Sequence, residues 1–407
     1  MAQNVRNGVP GTPRVLRSMN DRAALDLLLE HGALSRSRIG ALTGLSKPTA
    51  SQLLARLEAA GLVLTRGMSR PGIGRPGPNA QLYALNPRAA HAAGLDVTSQ
   101  RIRAAVADVT GTVVGTCEVP TGTQRPWDVT GRVTEALDGA VKEAGLLRAD
   151  VKRVVIGTPG AFDPSSGRLR YASHLPGWHS PTLLEELAVA LPTPVEYDND
   201  VNLVALAEQR AGAARRHENF VLLWNGEGLG AALVMGGRLH RGFTGGAGEI
   251  GFLPVPGAPL VRRVTQVNGG GFQNLAGAQA LPGLARDLGI TDVPEGLYLE
   301  VASTLLRRAA QAGAGPYRTL LDTYATRLAT GLASMVAVLD PELVVLAGDA
   351  ITPGGEPLLE RVTSELHELA APRPELVLGE VTDDPVQRGA LECALAATRD
   401  EVFDTSD

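Results

Sequence analysis

Val195-Glu196-Tyr197-Asp198-Asn199-Asp200-Val201-Asn202-Leu203-Val204-Ala205-Leu206-Ala207-Glu208 is the stretch on which the reading of this chain turns. A short apolar lead-in reaches Asn199-Asp200 and Asn202, then passes into helical apolar spacing, so the amide and carboxylate stand where a strand hands over to a helix. An Asn there both donates and accepts, and an ionised Asp only accepts, so the pair can grip a vicinal diol or take a proton from one hydroxyl. The plain alternative is a helix cap, for which Asn and Asp are equally suited. Taken alone, these residues favour the cap.

Working outward, Val154-Val155-Ile156 runs as a strand into the tight loop Gly157-Thr158-Pro159-Gly160, followed by Ser173-His174-Leu175-Pro176-Gly177-Trp178 and a helix over Thr182 to Ala190. His174 has no partner at metal-ligand spacing. Downstream, Phe220 to Trp224 is an apolar strand, Asn225-Gly226-Glu227-Gly228-Leu229-Gly230 a turn, Ala231 to Met235 the return strand and Gly236-Gly237 another turn. The same grammar occurs earlier: Gly94-Leu95-Asp96-Val97, then Arg101 to Asp108, then a turn at Gly111 into Val113-Val114. Two such openings predict a duplicated α/β core with a cleft between its halves. Gly242 to Phe252 makes a glycine-rich approach to one carboxylate, Glu249. Beyond it come helices from Leu284, a long helix over Tyr317 to Leu339, a buried strand at Leu343 to Leu346 and a turn at Ala347-Gly348-Asp349. A helix near Leu358 to Ala370, a last strand at Glu375 to Leu378 and an acidic tail complete the chain.

The N-terminal part is of another kind. Residues 1–18 are polar, with Gly and Pro among arginines, and read as a disordered basic arm. From Asp21, leucines at helical spacing run to His31-Gly32; Ser35 caps a short second helix closed by Gly44; Ser46 caps a third, with Pro48 in its first turn and Ala50, Leu53, Leu54 and Leu57 inward. Outward on the third helix are Lys47, Thr49, Ser51, Gln52 and Arg56. Strands at Leu62 to Leu64 and Gln81 to Leu85 enclose an arginine-bearing loop with Arg70 and Arg75. That is a winged helix-turn-helix. Lys and Arg hold phosphates, Gln and hydroxyl side chains reach base edges, and Arg75 on a slim Gly-Arg-Pro-Gly tip suits a minor groove. The predicted DNA-contacting set is Ser46, Lys47, Thr49, Ser51, Gln52, Arg56, Arg70 and Arg75.

Charge agrees with that division. Residues 1–85 carry 11 Arg and Lys against 4 Asp and Glu, a balance of +7, whereas the remainder stands at −12 within a chain of net charge −5. A basic head on an acidic body points to a polyanion at the head alone. The two cysteines, Cys117 and Cys393, are far apart and imply neither a disulfide framework nor a cysteine zinc site. With no leader-like apolar segment and no apolar run long enough to span a bilayer, a cytoplasmic protein without membrane contact is expected.

In series, Gly157 to Gly160, His174 to Trp178, Asn199-Asp200 with Asn202 and Glu208, Gly226 to Gly230, and Gly245 to Gly251 with Glu249 resemble the ROK family of repressors, open reading frames and sugar kinases, from about residue 20 to about 398. The resemblance implies a two-lobed α/β fold of the sugar-kinase and actin kind over 87–400, with lobes of about 92–205 and 206–398, behind a winged helix-turn-helix over 19–86 and ahead of an acidic tail at 401–407. A fused head looks like the repressor branch, which includes the xylose and N-acetylglucosamine repressors. The implied effector-binding residues are Gly160, His174, Asn199, Asp200, Glu249 and Gln273.

The departures bear on chemistry. Family kinases have two glycines in the first phosphate loop, where this chain reads Asp96-Val97-Thr98-Ser99-Gln100; the second loop has Glu227 in place of Thr or Ser. Without the glycines the backbone cannot approach a phosphate closely. A carboxylate about 5 Å from a phosphate charge costs on the order of 3 kcal/mol at an effective dielectric near 20. The family's zinc ligands correspond here to Phe252, Val264, Gln266 and Gly271, none of which binds zinc tightly, and its distal sugar-binding Glu to Gln273. The expectation is therefore a DNA-binding transcriptional regulator, a repressor, that binds double-stranded operator DNA as a homodimer or homotetramer and responds to a sugar. It needs no metal, no ATP and no catalysis. The alternative is a sugar kinase that kept a DNA-binding head, with Asp200 as general base.

Overall fold

The computed structural model describes residues 13–69, 80–121, 128–163, 168–170, 178, 180, 182–262 and 270–405. The head comprises α1 (Pro13–His31), β1 (Leu34–Ser35), α2 (Arg36–Thr43), α3 (Lys47–Ala59), β2 (Val63–Ser69) and β3 (Ala80–Leu85). Ser35 caps α2 by accepting the Arg38 N–H, and Ser46 caps α3 by accepting that of Thr49. Gly44, at φ 72°, closes α2 in the left-handed region that glycine enters without strain. The strands form one antiparallel sheet in the order β1-β3-β2, with β2 and β3 as the stem of the wing. The tip, with Arg70 and Arg75, lies outside the described residues.

One boundary differs from the expectation. Helix α1 starts at Pro13, so residues 13–18 are helical and not part of an unstructured arm. The Gly and Pro that read as disorder end at Pro13 itself, which occupies the first helical position, where a missing N–H costs nothing. Residues 1–12 lie outside the described residues.

The body follows as β4 (His91–Val97), β5 (Arg101–Asp108), β6 (Val113–Pro120), α4 (Val129–Glu143), β7 (Val151–Thr158), β8 (Ala161–Asp163), β9 (Arg168–Arg170), α5 (Leu183–Ala190), β10 (Val195–Asn199) and α6 (Asp200–Ala211). Its second half has β11 (Phe220–Asn225), β12 (Leu229–Met235), β13 (Arg238–Leu239), α7 (Gly271–Ala276), α8 (Leu281–Asp287), α9 (Tyr298–Gln311), α10 (Pro316–Leu339), β14 (Leu343–Ala347), α11 (Gly355–Leu369), β15 (Glu375–Leu378) and α12 (Pro385–Val402). Each half has a five-stranded sheet, β10-β7-β4-β5-β6 and β15-β14-β11-β12-β13. In both, an antiparallel meander of three strands is followed by two strands that join in parallel beside the first. The duplication expected from two similar openings therefore extends through the whole sheet; β8 and β9 form a separate hairpin.

The layers follow from which strand faces are apolar. Sheet strands buried on both sides read as continuous apolar runs, as Leu343-Val344-Val345-Leu346 does. Helices α4 and α5 cover the outer face of the first sheet, and α7 to α11 that of the second. Between the sheets lie α6 and α12, whose Leu203, Val204, Ala390, Leu391 and Leu395 share one core with Ala105, Val155, Phe220, Leu222 and Val345.

Helix α12 has no counterpart among the expected elements. Its buried stripe is Gly389, Ala390, Ala394 and Thr398 as much as leucine, so its hydrophobic periodicity is faint. Small residues are there for close approach: a Cβ on Gly389 would stand 1.9 Å from the Leu203 carbonyl oxygen of α6. A lobe boundary at 205/206 therefore cuts the continuous helix α6, and residues 385–402 return to the first lobe, with Leu391 against Gly94 of β4.

The head is docked on this body. Phe403, 1% exposed, shares one core with Leu25, Leu28, Ile39, Leu57, Val63 and Val109. Arg22 stacks over the Phe403 ring at 5.5 Å and donates to Asp400 at 2.8 Å, Thr405 donates to Asp21, and Arg399 donates to the Val109 carbonyl oxygen.

Candidate ligand cleft and nucleic-acid interface

Strand β10 ends and α6 begins at Asn199, as the opening stretch predicts. Asn199 is the cap: its Oδ1 accepts the N–H groups of Val201 (2.9 Å) and Asn202 (3.2 Å), and its Nδ2 donates to the Gly160 carbonyl oxygen at 3.0 Å. Both ends of that amide are committed, so it positions the cleft wall and ties it to the loop after β7. Asn202 donates to Asp198, and Asp198 receives Arg241 at 2.6 Å, which braces the turn from the other side.

Asp200 is different. One oxygen accepts the Val201 N–H at 2.8 Å, and the residue lines a cavity of about 480 Å³ between the lobes. Glu249 arrives at the same cavity from the second half. Gly248 places it: at φ 92°, with a would-be Cβ 1.9 Å from the Ala231 carbonyl oxygen, only glycine fits, and its own carbonyl accepts the Ala231 N–H. Burial pushes both carboxyls up to about 7; for Asp200 the Val201 N–H bond opposes the rise, while Asp96, Glu249 and Glu227 add to it. Asp96 is likewise raised by burial, to about 6, with Arg101 and Arg103 drawing it down. Clustered carboxyls held near neutrality by their surroundings are typical of functional clefts.

Of the other expected effector residues, Gly160 and Gln273 line the cavity, and His174 lies outside the described residues. Gln273 is buried, its Oε1 accepting the Leu229 N–H at 2.6 Å and its Nε2 donating to Gln279, so it holds the second glycine loop and is not free for a ligand. Several wall residues were missed by sequence reasoning. Trp224 stands just before the glycine loop, and Leu297, Tyr298 and Leu299 come in from the start of α9. Nothing local in the sequence marks Tyr298 for this position; its hydroxyl donates to the Glu227 carbonyl oxygen at 2.8 Å. Asn225, fully buried, bonds the Ala276 carbonyl, the Tyr324 hydroxyl and the Ala278 N–H, and so anchors the same loop from beneath.

The two loops that would cradle phosphates are joined to each other: the Ser99 hydroxyl donates to Glu227 Oε1 at 2.7 Å. The residues present do not fit a nucleotide triphosphate there. The zinc positions fit no better. Phe252 ends a single helical turn, Gly271 opens α7, and Val264 and Gln266 lie outside the described residues. The two segments are instead packed directly: the Phe272 N–H donates to the Leu253 carbonyl at 3.0 Å, and a Cβ on Gly270 would meet Phe252 Cα at 2.5 Å. Among the described residues no group of three or more His, Cys, Asp or Glu side chains is arranged to hold a metal ion.

On the head, α3 presents Lys47, Thr49 and Gln52 to solvent. Thr49, though exposed, and the predicted contacts Ser46, Ser51 and Arg56 have intramolecular partners. The Ser46 hydroxyl caps α3 and pairs with Thr49 Oγ1, Ser51 bonds the Lys47 carbonyl and receives Arg36, and Arg56 donates to the buried Asp21 at 2.6 Å. Arg56 thus locks α3 to α1 where a role on DNA was expected.

Residues 92–390 match the ROK family, and residues 18–71 match the MarR family. The chain is 28% identical over 291 residues to a glucokinase of Halalkalibacterium halodurans, covering 69% of this chain and 86% of that protein. It is 25% identical over 366 residues to the xylose repressor of Caldicellulosiruptor bescii, covering 88% and 90%. The crystal structure of a ROK family transcriptional regulator, a homologue of the E. coli MLC protein, superposes with a TM-score of 0.74 at 19% identity over 96% of this chain and 98% of that one, a likeness of fold that includes the head. With two repeated sheets, a cleft walled by Asp200 and Glu249, and a family match over most of its length, the chain belongs to the ROK family.

Proposed function

We propose that this chain is a DNA-binding transcriptional regulator, a repressor, that responds to a sugar held between its lobes and transfers no phosphoryl group. The observation that carries this reading is the Ser99–Glu227 bond, which joins the two phosphate loops and leaves a carboxylate where a nucleotide would need a donor. A relative that spans head and body alike is a xylose repressor, which supports the same reading.

The cleft and the head are mechanically joined. Helix α6, which opens with Asp200, packs backbone to backbone on α12 at Gly389, and Asp400 near the end of α12 and Phe403 just after it hold Arg22 of α1. Asp21 of α1 holds Arg56 of α3. A sugar that binds the closed cleft more tightly than the open one shifts α6 and α12 together and so alters how two heads in a homodimer, or in a homotetramer of such pairs, meet successive major grooves. Equal affinity for both states would shift nothing. Lys47, Thr49 and Gln52 are the DNA-facing residues of α3, Arg70 and Arg75, which follow β2 in the sequence, are further DNA contacts, and a DNA partner of this kind implies a cytoplasmic protein.

A sugar kinase is the second reading, favoured by the glucokinase relatives and by Asp200 in the position of a general base. Coupled ATP consumption over a panel of aldoses separates the two. No turnover is expected; turnover abolished by Asp200→Ala would establish the kinase instead.

A further inference from the structure

We infer that the body carries a second DNA contact: an arginine surface at the head-bearing end of the second lobe, formed by Arg210, Arg215, Arg216 and Arg238, which holds backbone phosphates of the duplex flanking the operator. This rests on the reading of the chain as a DNA-binding regulator and extends the contact beyond the winged helix.

The hydrogen bonds of two turns bring the four arginines together. Helix α6 ends with Arg210 and Ala211, and the turn that follows carries Arg215 and Arg216 before β11 begins. Arg238 opens β13 after the hairpin turn Gly236-Gly237, both glycines at positive φ. Gln209 Nε2 donates to the Gly237 carbonyl oxygen at 3.2 Å, the Gly237 N–H to the Glu218 carbonyl oxygen at 2.8 Å, and the Gly236 N–H to Asn219 Oδ1 at 2.9 Å. The hairpin is thus fastened to the segment on both sides of Arg215-Arg216.

Chain direction sets which way this surface faces. Strands β4, β7, β10 and β11 all run toward the cleft, where Ser99, Pro159, Asn199 and Trp224, at or just past their ends, line the cavity. Their starts therefore lie at the opposite end of the body. The head is at that end, because β4 begins directly after Ala89 and Ala90, which pack in the head core with Val109 and Phe403. Helix α6 starts at Asp200 in the cleft and runs back to the same end, carrying Arg210 and the turn beyond it there. Arg399, bonded to the Val109 carbonyl at the junction, senses both neighbours: burial lowers its pKa most, Glu392 opposes, and Arg210 and, more weakly, Arg22 of α1 lower it further as like charges.

Charge makes this surface an exception on an acidic body, whose residues 86–407 carry a net −12. Arg215, Arg216 and Arg238 are exposed and form no ion pair or side-chain hydrogen bond among the described residues. Arg210 has one long contact, to Glu392 at 3.5 Å. Of the neighbouring carboxylates, Glu218 is exposed, and Glu342 is engaged by His217 and by the Glu218 and Asn219 N–H groups. Asp340, Glu342 and Glu375 stand at or just before the starts of β14 and β15, on the side of β11 away from β12 and β13, so the two signs are segregated. Guanidinium groups bind phosphate oxygens in a bidentate fork, and DNA already held by the head supplies those phosphates at high local concentration.

The test uses the full-length protein and two duplexes: the shortest that retains an operator selected from genomic DNA, and the same one extended by two helical turns of arbitrary sequence at each end. The wild type should bind the extended duplex more tightly, by on the order of tenfold at low salt, whatever the flanking sequence. Arg215→Ala, Arg216→Ala and Arg238→Ala together should abolish that gain and leave both the melting temperature and binding to the short duplex unchanged. On the extended duplex they should make the slope of log K against log salt shallower by roughly two to three. Arg215→Lys, Arg216→Lys and Arg238→Lys together should keep most of the gain. No gain from flanking DNA in the wild type, a gain that survives the alanine changes, or an equal loss on both duplexes overturns the inference and leaves the DNA-binding reading standing. A surface that joins two copies of the chain would show as a change in sedimentation with the gain intact, and overturns it too. No binding of any duplex by the wild type overturns that reading and the inference with it.

Discussion

Ser99 and Glu227, 128 positions apart in the chain, meet across the cleft with the hydroxyl donating to the carboxylate at 2.7 Å. One belongs to the turn after the first strand of the first sheet, the other to the corresponding turn of the second, so a single bond fastens equivalent corners of the two repeats. The bond is accessible to solvent, and a charge-assisted bond of that kind contributes about 1 kcal/mol. Ser99→Ala should lower stability by about that amount. A magnesium complex of a non-hydrolysable ATP analogue at millimolar concentration should leave the melting temperature of the wild-type protein unchanged. If Glu227 is what keeps phosphate out, Glu227→Thr combined with Ser99→Gly should give a measurable upward shift.

The pH dependence of stability follows from Asp200. Burial lifts its folded-state pKa from the ordinary aspartate value to about 7, so between about pH 4 and 7 the folded chain holds a proton that the unfolded chain has lost. The raised value therefore costs stability as pH climbs through that window, and the cost is complete above it. Asp200→Asn removes the cost: it should stabilise the ligand-free protein at pH 8 by on the order of a few kcal/mol, and by much less at pH 4. Glu249→Gln should behave the same way, since burial lifts that carboxyl too. Both variants should lose the sugar response while melting higher at pH 8, a combination that simple damage to the fold cannot produce. Thermal denaturation at the two pH values measures it.

Phe403 is a residue of the C-terminal segment buried in the core of the N-terminal head. Truncating a buried Phe to Ala costs about 3–5 kcal/mol. Because the head is small and this ring joins it to the body, Phe403→Ala should split one cooperative melting transition into two in scanning calorimetry, with the head first and the body transition within a degree or two of its original position. The same variant should bind DNA more weakly and lose sugar control of what binding remains.

Much of this arrangement was legible in the residues. The caps at Ser35 and Ser46, the stop at Gly44 and the inward leucines are local signals, and local interactions decide those elements. The strand-to-helix turn at Asn199 was equally plain, and it proved to be both things: Asn199 is the cap and Asp200 lines the cleft. What stayed hidden depends on the far ends of the chain meeting. Helix α12 buries an Ala- and Gly-rich face because two sheets crowd it, a packing constraint that leaves little hydrophobic periodicity. Arg56 looks like a DNA contact until Asp21, 35 residues earlier, is seen beneath it. Tyr298 reaches the cleft only because α9 ends up beside the second glycine loop.

The central claim is that sugar in the cleft controls DNA on the head. Its most direct test is the affinity of the purified full-length protein for an operator fragment, recovered by selection from genomic DNA, measured over a series of salt concentrations with and without the sugar identified by thermal shift. The account predicts a steep loss of affinity with salt, as phosphate contacts by Lys47 and the wing require, and an affinity at fixed salt that changes at least tenfold with sugar in the wild type and not in Asp200→Asn. Binding that is insensitive to salt, or a sugar that occupies the cleft and leaves DNA affinity unchanged, would contradict it.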